Sequence, residues 1–364
     1  MPVNGTQILA IVCAFAAECY SDTEPLNVTI KDVAARAKVS LSTVSRVMTN
    51  RRGFMAEETR QRVLATIQEL GYVPNAHASS LRSQKSKTIG VIITNVMNPF
   101  FAAVVRGIQD RAAAQGYELF ICNTDDNSQS EAHSLKTLLS RKVDGVIVTT
   151  CESSGKLYKP LLASHYPLVL VDRAVRSLRC DAVVIDNVAI AQQVVDHFLT
   201  MRHQRIGFVT PHLGSVQPRR DRIEGARRAF AEHGREIDSC LIAEAESDID
   251  SGSKATADLL ALADPPTAIF ALNTFQAIGS LKFLQDSGYS IPGQLSFVMF
   301  DDQRWTELIR PRISAVSQPA YAIGARAADL LAERMENPSK ATETVLLNAD
   351  YVERESVAPA PGTH

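Results

Sequence analysis

Nine short apolar runs, most of them separated by amphipathic stretches, recur along this 364-residue chain after residue 88. Continuous apolar strands that alternate with helices are typical of parallel sheets covered by helices on both faces. Because one sheet rarely holds so many strands, the pattern predicts two doubly wound α/β halves that face a cleft. The runs are residues 89–93, 118–122, 144–148, 168–171, 182–185, 205–209, 241–245, 267–272 and 295–300.

Charge is distributed unevenly along the chain. Residues 28–88 contain eleven Lys and Arg against four Asp and Glu, a net charge of +7, whereas the whole chain carries −2. The remainder is therefore acidic, at −9. A small basic module attached to a large acidic body favours a nucleic-acid partner for the small module.

The basic segment has the pattern of three short helices. Thr29 and Ser40 are the predicted N-caps of the first two, and Glu57 begins the third. A tight turn at Lys38-Val39 separates the first helix from the second, as in a helix-turn-helix. The predicted boundaries are 28–73 for this domain and 74–87 for a polar linker after it.

The second of these helices presents a polar side to solvent, opposite its apolar Val44 and Val47. Arg46 can donate two hydrogen bonds to a guanine edge or reach a phosphate. Hydroxyl groups near the helix N-terminus can donate to phosphate oxygens. The alternative is that Ser40 is only a cap and Arg46 only a solvated charge; the combination with the local charge of +7 favours DNA binding.

Polar residues also follow several of the predicted strands, where ligands of doubly wound sheets bind. Asn273 follows residues 267–272, Asp301 follows residues 295–300, and Arg222 opens a helix after residues 205–209, with Arg220 on nearly the same side. Aromatic rings beside a few converging polar groups would suit a sugar or a related polyol. Asp125 and Trp305 are possible additions, whereas Asp302 is better interpreted as a capping carboxylate.

Three motifs resemble those of the lactose-repressor (LacI/GalR) family of bacterial transcription regulators. They are TIKDVAARAKVSLSTVSRVM at 29–48, ELGYVPNAHASSLRS at 69–83 and TIGVIITNVMNPFF at 88–101. The resemblance covers residues 28–357. It implies an N-terminal helix-turn-helix domain followed by an α/β periplasmic-binding-protein-like domain of two doubly wound subdomains. The chain departs from the family pattern at several positions: Lys38 replaces the usual turn glycine, Ala56 the usual serine cap of the third helix, and Ser79 a common hinge arginine. In the cleft, Asn273-Thr274 replaces the common Asn-Asp pair, and Pro218 stands at a position that is often polar.

The resemblance also implies which residues contact DNA. Leu81 would be the hinge leucine that wedges into the minor groove, an insertion that unstacks a base step and bends the duplex. The base-reading positions would be Leu41, Ser42 and Arg46. The other expected DNA contacts are Thr29, Ser40, Thr43, Ser45, Asn75 and Ala78.

For the cleft, the resemblance implies an effector site. Arg222, Asn273 and Asp301 would hold a sugar, a sugar acid or a sugar phosphate, and Arg173 matches a further pocket position. Phe100 and Phe101 would line the pocket, although both could equally be core residues. The expected subdomains are residues 88–186 with 318–341, and residues 187–317 with 342–357.

The expected protein is a ligand-responsive transcription regulator, a repressor that binds a palindromic operator in double-stranded DNA as a homodimer. Six scattered cysteines fit the cytosol. Residues 1–27 are expected to be a disordered leader and residues 358–364 a disordered tail, without a membrane association. No catalytic residue, metal site or cofactor is expected. The alternatives are a sugar-binding protein of a transport system and an enzyme on a doubly wound fold.

Overall fold

The computed structural model describes residues 28–48, 56–72, 85–151 and 154–361. The chain divides into two compact units, residues 1–84 and residues 85–364, and each is described by itself. The expected leader and the hinge positions Asn75, Ala78, Ser79 and Leu81 lie outside the described residues.

Three helices form the described part of the first unit, as the sequence predicts. They are α1 (Ile30–Ala37), α2 (Leu41–Met48) and α3 (Glu57–Glu69). Their apolar faces meet in a small core of Val33, Ala34, Ala37, Val44, Val47 and Val63. The Arg62 Nε–H donates to the Ala37 carbonyl over 3.1 Å and ties α3 to the end of α1. The unit is a helix-turn-helix domain.

The turn after α1 uses a strained residue. Lys38 has φ 50° and ψ 49°, the left-handed conformation that glycine adopts without steric cost. The backbone of Ala56 is extended at the start of α3, and its methyl group cannot accept the hydrogen bond that a serine cap would accept. These two family differences therefore fall where they cost stability, each by about 1 kcal/mol.

The second unit contains two six-stranded sheets. The first sheet has the order β11-β5-β4-β3-β1-β2, with every pairing parallel. Its strands are β1 (Thr88–Ile93), β2 (Glu118–Asn123), β3 (Gly145–Val148), β4 (Leu168–Val171), β5 (Asp181–Ile185) and β11 (Thr344–Leu347). Its helices are α4 (Pro99–Ala114), α5 (Ser128–Ser140), α6 (Lys159–Ala163) and α11 (Ala320–Glu336).

The second sheet repeats this arrangement, with the order β12-β10-β9-β8-β6-β7. Only the pairing of β12 with β10 is antiparallel. Its strands are β6 (Ile206–Pro211), β7 (Ile242–Ala245), β8 (Ala268–Ala271), β9 (Ser296–Phe300), β10 (Ser314–Ser317) and β12 (Asp350–Val352). Its helices are α7 (Asn187–Thr200), α8 (Gln217–Glu232), α9 (Ile249–Leu260) and α10 (Thr274–Asp286).

Helices α4 and α11 pack closely on one face of the first sheet. Gly107 of α4 lies against the Tyr321 carbonyl of α11, and Gly324 of α11 lies against the Val104 carbonyl of α4. A Cβ atom at either glycine would overlap the backbone of the other helix. This close approach buries Val104, Ile108 and their neighbours between the helices and the strands.

The chain crosses between the two sheets three times. The first crossover follows β5 at Asp186, and the second follows β10 at Gln318. The third was expected near Thr342 and is wrong, because residues 344–347 pair with β5 in the first sheet. This crossover follows Leu347, and residues 342–347 belong to the first subdomain.

The expected disordered tail is also wrong for residues 358–361. The Ala358 N–H donates to Ser296 Oγ over 3.1 Å, and the Ala360 N–H donates to the Met201 carbonyl over 2.8 Å. Earlier in the same segment, Arg354 forms an ion pair with Asp302. The segment therefore packs along the second subdomain. Within the described ranges, none of the helices is long and apolar enough to cross a membrane.

The left-handed turn gives a stability prediction. Lys38→Gly should raise the local unfolding free energy of the first unit by about 1 kcal/mol, because glycine relieves the strain of the left-handed conformation. Amide hydrogen exchange of α1–α3 in the full chain measures this quantity. The control Ala35→Gly, at an exposed position within α1, should lower it by about 1 kcal/mol. Faster exchange in Lys38→Gly than in the wild type would contradict the argument.

Buried His203 gives a pH prediction. Nε2 donates to the Ala358 carbonyl over 2.9 Å, and Nδ1 lies 2.8 Å from Thr267 Oγ1. Burial lowers the pKa of His203 below 6.5 despite the bond to Ala358. The folded state thus binds fewer protons than the unfolded state, and the unfolding free energy should fall as the pH drops below about 6.5.

Urea unfolding of the second unit at pH 7.5 and 5.5 checks this dependence on His203. His203→Gln keeps a donor near the Ala358 carbonyl but removes the titrating ring, so its stability should change less between the two pH values. His133→Gln is the control, because His133 is exposed on α5. An unchanged pH dependence in His203→Gln would refute the assignment.

Candidate functional site

The first candidate surface is the solvent-exposed side of α2. Ser40 caps this helix, because its Oγ accepts the Thr43 backbone N–H over 3.2 Å and lies 2.7 Å from Ser42 Oγ. Val44 and Val47 face the core, whereas Leu41, Ser42 and Arg46 are exposed. An apolar, a hydroxyl-bearing and a cationic side chain thus share the exposed side of one short helix.

The other described DNA-contact candidates are Thr29, Thr43 and Ser45. Thr43 and Ser45 are half-buried on α2. Thr29 begins α1, and its N–H and its hydroxyl both donate to the Asp32 carboxylate over 2.7 Å. These bonds lower the pKa of Asp32. Helix α2 has no acidic residue in its first turn, so the positive end of its dipole is not offset there.

The second candidate site is a cavity of about 400 Å³ at the carboxyl ends of the strands of both sheets. A cavity of this size is within the range of small-molecule pockets. All six cleft residues predicted from the sequence line it, namely Phe100, Phe101, Arg173, Arg222, Asn273 and Asp301. The first three come from the first subdomain and the others from the second. Tertiary structure therefore brings together residues that are up to about 200 positions apart.

Arg222 is the most buried cation of this cavity, with 6% of its surface exposed. Its Nε–H donates to Asn187 Oδ1 over 2.8 Å, and one terminal nitrogen donates to the Leu272 carbonyl over 2.6 Å. The guanidinium carbon lies 3.4 Å from the centre of the Phe300 ring. Burial lowers the pKa of Arg222 to about 10, against the opposing effect of Asp301, so the side chain is charged at neutral pH.

Asp301 and Asn273 lie at the ends of neighbouring strands. The Asp301 carboxylate accepts the Thr274 hydroxyl over 2.7 Å and the Gln318 amide over 2.6 Å. Asn273 caps α10, because its Oδ1 accepts the Phe275 N–H over 3.0 Å. The cap uses the amide oxygen of Asn273, so the amide nitrogen is the group it offers to a ligand.

A second cluster of charges spans the cleft. Asp126, in the loop after β2, accepts from Arg173 over 2.6 Å and from Arg219 of α8 over 2.7 Å. Burial alone would raise the pKa of Asp126, but the two arginines outweigh it and lower the pKa. Burial, together with the nearby Arg173, lowers the pKa of Arg219.

Asp172 completes the inner group of charges. It follows β4, and its carboxylate lies 3.7 Å from Arg173 Nε. Burial raises the pKa of Asp172, although Arg173 and Arg222 oppose this shift. The inner cavity thus contains three arginines and three carboxylates in close association.

Apolar surface accompanies these polar groups. The rings of Phe100 and Phe101 meet edge to face at 5.0 Å, and each is 6% exposed. Both belong to the main core and also line the cavity, together with Phe275. The two interpretations of Phe100 and Phe101 in the sequence are therefore compatible.

The cavity-lining residues that sequence reasoning missed include Asp126, Asp172, Arg219 and Gln318. Two sequence signals could have indicated three of these residues. Asp126 and Asp172 each follow a strand, and Arg219 lies three residues before Arg222, on the same helix face. Arg220, which is only two residues away from Arg222, is exposed, so its expected orientation is wrong.

The structure also places three further residues that the sequence analysis considered near the pocket. Trp305 packs against the core cluster that contains Phe297 and Ile313, so its addition to the pocket is wrong. Asp302 accepts the Thr306 hydroxyl over 2.8 Å and pairs with Arg354, which agrees with a capping, structural carboxylate. Asp125 does line the cavity.

Comparisons with known proteins identify the families of both parts of the chain. Residues 29–75 match the model of bacterial regulatory proteins of the lacI family, and residues 86–355 match that of periplasmic binding proteins and the sugar-binding domain of the LacI family. Catabolite control protein A of Priestia megaterium is 36% identical over 88% of this chain and 97% of its own length.

Two solved structures are similar as well. A LacI family transcriptional regulator from Enterococcus faecium with bound ribose is 30% identical and has a TM-score of 0.68 over 75% of this chain and 99% of its own. The transcriptional regulator CelR in complex with cellobiose is 27% identical and has a TM-score of 0.68 over 90% of this chain and 99% of its own.

These matches exclude the transport and enzyme alternatives, since the relatives are transcription regulators. The chain therefore belongs to the LacI family of bacterial regulatory proteins, as a DNA-binding transcription regulator with a separate effector-binding domain.

Proposed function

We propose that this chain is a repressor whose homodimer binds a palindromic operator through α2 and responds to an uncharged sugar in the cleft. A two-fold dimer presents two copies of α2 to two half-sites, which is why a palindrome is the expected target. The observation that carries the effector class is the mutual pairing of the charges in the inner cavity.

Support for the DNA part comes from the exposed side of α2. Leu41 offers an apolar contact to a thymine methyl group, Ser42 offers a hydroxyl, and Arg46 offers the paired donors that match guanine. Because the core holds Val44 and Val47, these three side chains can enter a major groove without loss of packing. The effector is proposed to contact the cleft residues Arg173, Arg222, Asn273 and Asp301.

Support for an uncharged effector comes from charge balance. Arg173 and Arg219 share Asp126, and the charges of Asp301 and Asp172 both act to raise the pKa of Arg222. An uncharged polyol can donate to these carboxylates and accept from these arginines without adding net charge. The phenylalanine rings give its C–H groups an apolar surface.

The bound ligands of the two similar structures, ribose and cellobiose, are both uncharged sugars. The six predicted residues, which include Phe100 and Phe101, line a cavity of about 400 Å³. That volume accommodates a monosaccharide with its hydration, and it favours a small sugar as the effector.

The crossovers offer a route from effector to operator. Arg222 bonds to Asn187, directly after the first crossover, and Asp301 bonds to Gln318, directly after the second. A ligand that exchanges hydrogen bonds with Arg222 and Asp301 changes the partners of both crossover residues. We therefore expect ligand binding to shift the closure of the two subdomains and, through it, the operator affinity.

Operator selection from a randomised duplex library tests the DNA part. Arg46→Ala should weaken binding to the selected operator by about 1–3 kcal/mol and relax the preference at one base pair of each half-site, since it removes paired donors to one base. Lys31→Ala, on α1 of the same unit, is the control and should leave the base preference unchanged. An unaltered base preference in Arg46→Ala would contradict the role of this residue.

Thermal shift with ribose, glucose, gluconate and glucose 6-phosphate tests the effector part. An uncharged sugar should raise the unfolding midpoint of the full chain and change its operator affinity. Asp301→Asn should lose both responses and retain operator binding, because Asn keeps the size of the side chain but not its charge. Stabilisation by the two anionic compounds alone would contradict an uncharged effector.

A further inference from the structure

The ion pairs of Asp126 join the two subdomains across the cleft. Arg173 belongs to the first subdomain and Arg219 to the second, and each arginine donates to a different oxygen of the Asp126 carboxylate, at 2.6 and 2.7 Å. The side chains of Arg173 and Arg219 are 9% and 16% exposed. Asp126 therefore occupies the position that a carboxylate or phosphate group of a ligand would take between two arginines.

The two arginines have little other compensation. Arg173 also donates to the Thr150 carbonyl and Arg219 to the His212 carbonyl, both neutral acceptors. Arg173 Nε is buried and has no hydrogen-bond partner among the described residues. Without the Asp126 carboxylate, the ion pair of Arg173 with Asp172 at 3.7 Å is the one within 4 Å that these two arginines would keep among the described residues.

The loop after β2 fixes the carboxylate in place. Asp125 and Asp126 have φ of 49° and 56°, so two consecutive residues adopt the left-handed conformation. The Asp126 N–H donates to the Thr94 carbonyl over 3.2 Å, and Asn127 caps the following helix α5. Aspartate and asparagine tolerate this conformation better than most residues, so the backbone allows an exchange between them.

We propose that Asp126 determines the charge class of the effector, because it holds the two arginines that would otherwise bind an anionic group. The proposal rests on the function proposed above and specifies how its cleft selects an uncharged ligand. Asp125, Glu246 and Asp248 also line the cavity and add to the repulsion of an anion. Removal of the Asp126 charge should turn the same arginines into an anion site.

Inorganic phosphate is the probe, and isothermal titration of the full chain is the measurement. Asp126→Asn should bind phosphate roughly tenfold or more tightly than the wild type, as charge-assisted hydrogen bonds to two guanidinium groups form. Phosphate should also raise the unfolding midpoint of Asp126→Asn more than that of the wild type, which shows in addition that the variant is folded.

Two further variants make the assignment specific. Asp221→Asn removes one negative charge from α8, two residues from Arg219, where the carboxylate accepts from Gln217 rather than from an arginine. This control should bind phosphate as the wild type does. The double variant Asp126→Asn with Arg219→Gln should lose most of the gain, because only one of the two arginines remains.

Equal phosphate affinity in the wild type and in Asp126→Asn would overturn the proposal, as would an equal gain in Asp221→Asn or a full gain in the double variant. Tight phosphate binding by the wild type would overturn it too. Operator selection is independent of this titration. A chain that selects no operator thus refutes the proposed function without affecting the phosphate result.

Discussion

A buried guanidinium group is stable only when carboxylates and carbonyls surround it, and the cleft of this protein is built around that constraint. Arg222 has a carbonyl, an amide oxygen and an aromatic face as partners, and Arg173 and Arg219 share one carboxylate. An unpaired charge at this depth would be very costly. The same bonds that stabilise the arginines place their remaining donors where a ligand can reach them.

This arrangement couples the ligand site to the fold. Parallel strands of two sheets end at one cleft, and the chain crosses between the sheets at its edge. Two of the ligand-facing side chains, Arg222 and Asp301, bond directly to residues at those crossovers. In addition, the ion pair of Asp126 with Arg219 spans the cleft. Binding and closure therefore draw on one set of hydrogen bonds, which is the physical requirement for a switch that responds to a small molecule.

The first unit depends less on a large buried core for its stability. Six small buried side chains form its core, so local features such as caps and turns account for a large share of its stability. The strained Lys38 and the uncapped start of α3 weaken it further. The exposed side of α2 can vary for recognition without loss of packing, since Val44, Val47 and Met48 attach this helix to the core.

Local sequence patterns determined most of the strands, the basic domain and part of the pocket. The nine apolar runs predict nine of the twelve strands, the charge of residues 28–88 indicates the nucleic-acid module, and the polar residues after the strands indicate the pocket. Arg222, Asn273 and Asp301 were found because the carboxyl ends of parallel strands meet at one edge, a rule that needs no coordinates. The resemblance to the LacI family supplied Arg173 and the pocket role of Phe100 and Phe101. The family motifs supplied the order of the domains.

Tertiary structure alone decided the rest. Strands β10, β11 and β12 are short, and β11 and β12 lie at sheet edges with half-exposed side chains, so their sequences carry no continuous apolar signal. The assignment of residues 344–347 to the first sheet depends on pairing with β5. The bridge from Arg173 through Asp126 to Arg219 joins three distant segments, because charge pairing depends on distance in space and leaves no periodic trace along a chain.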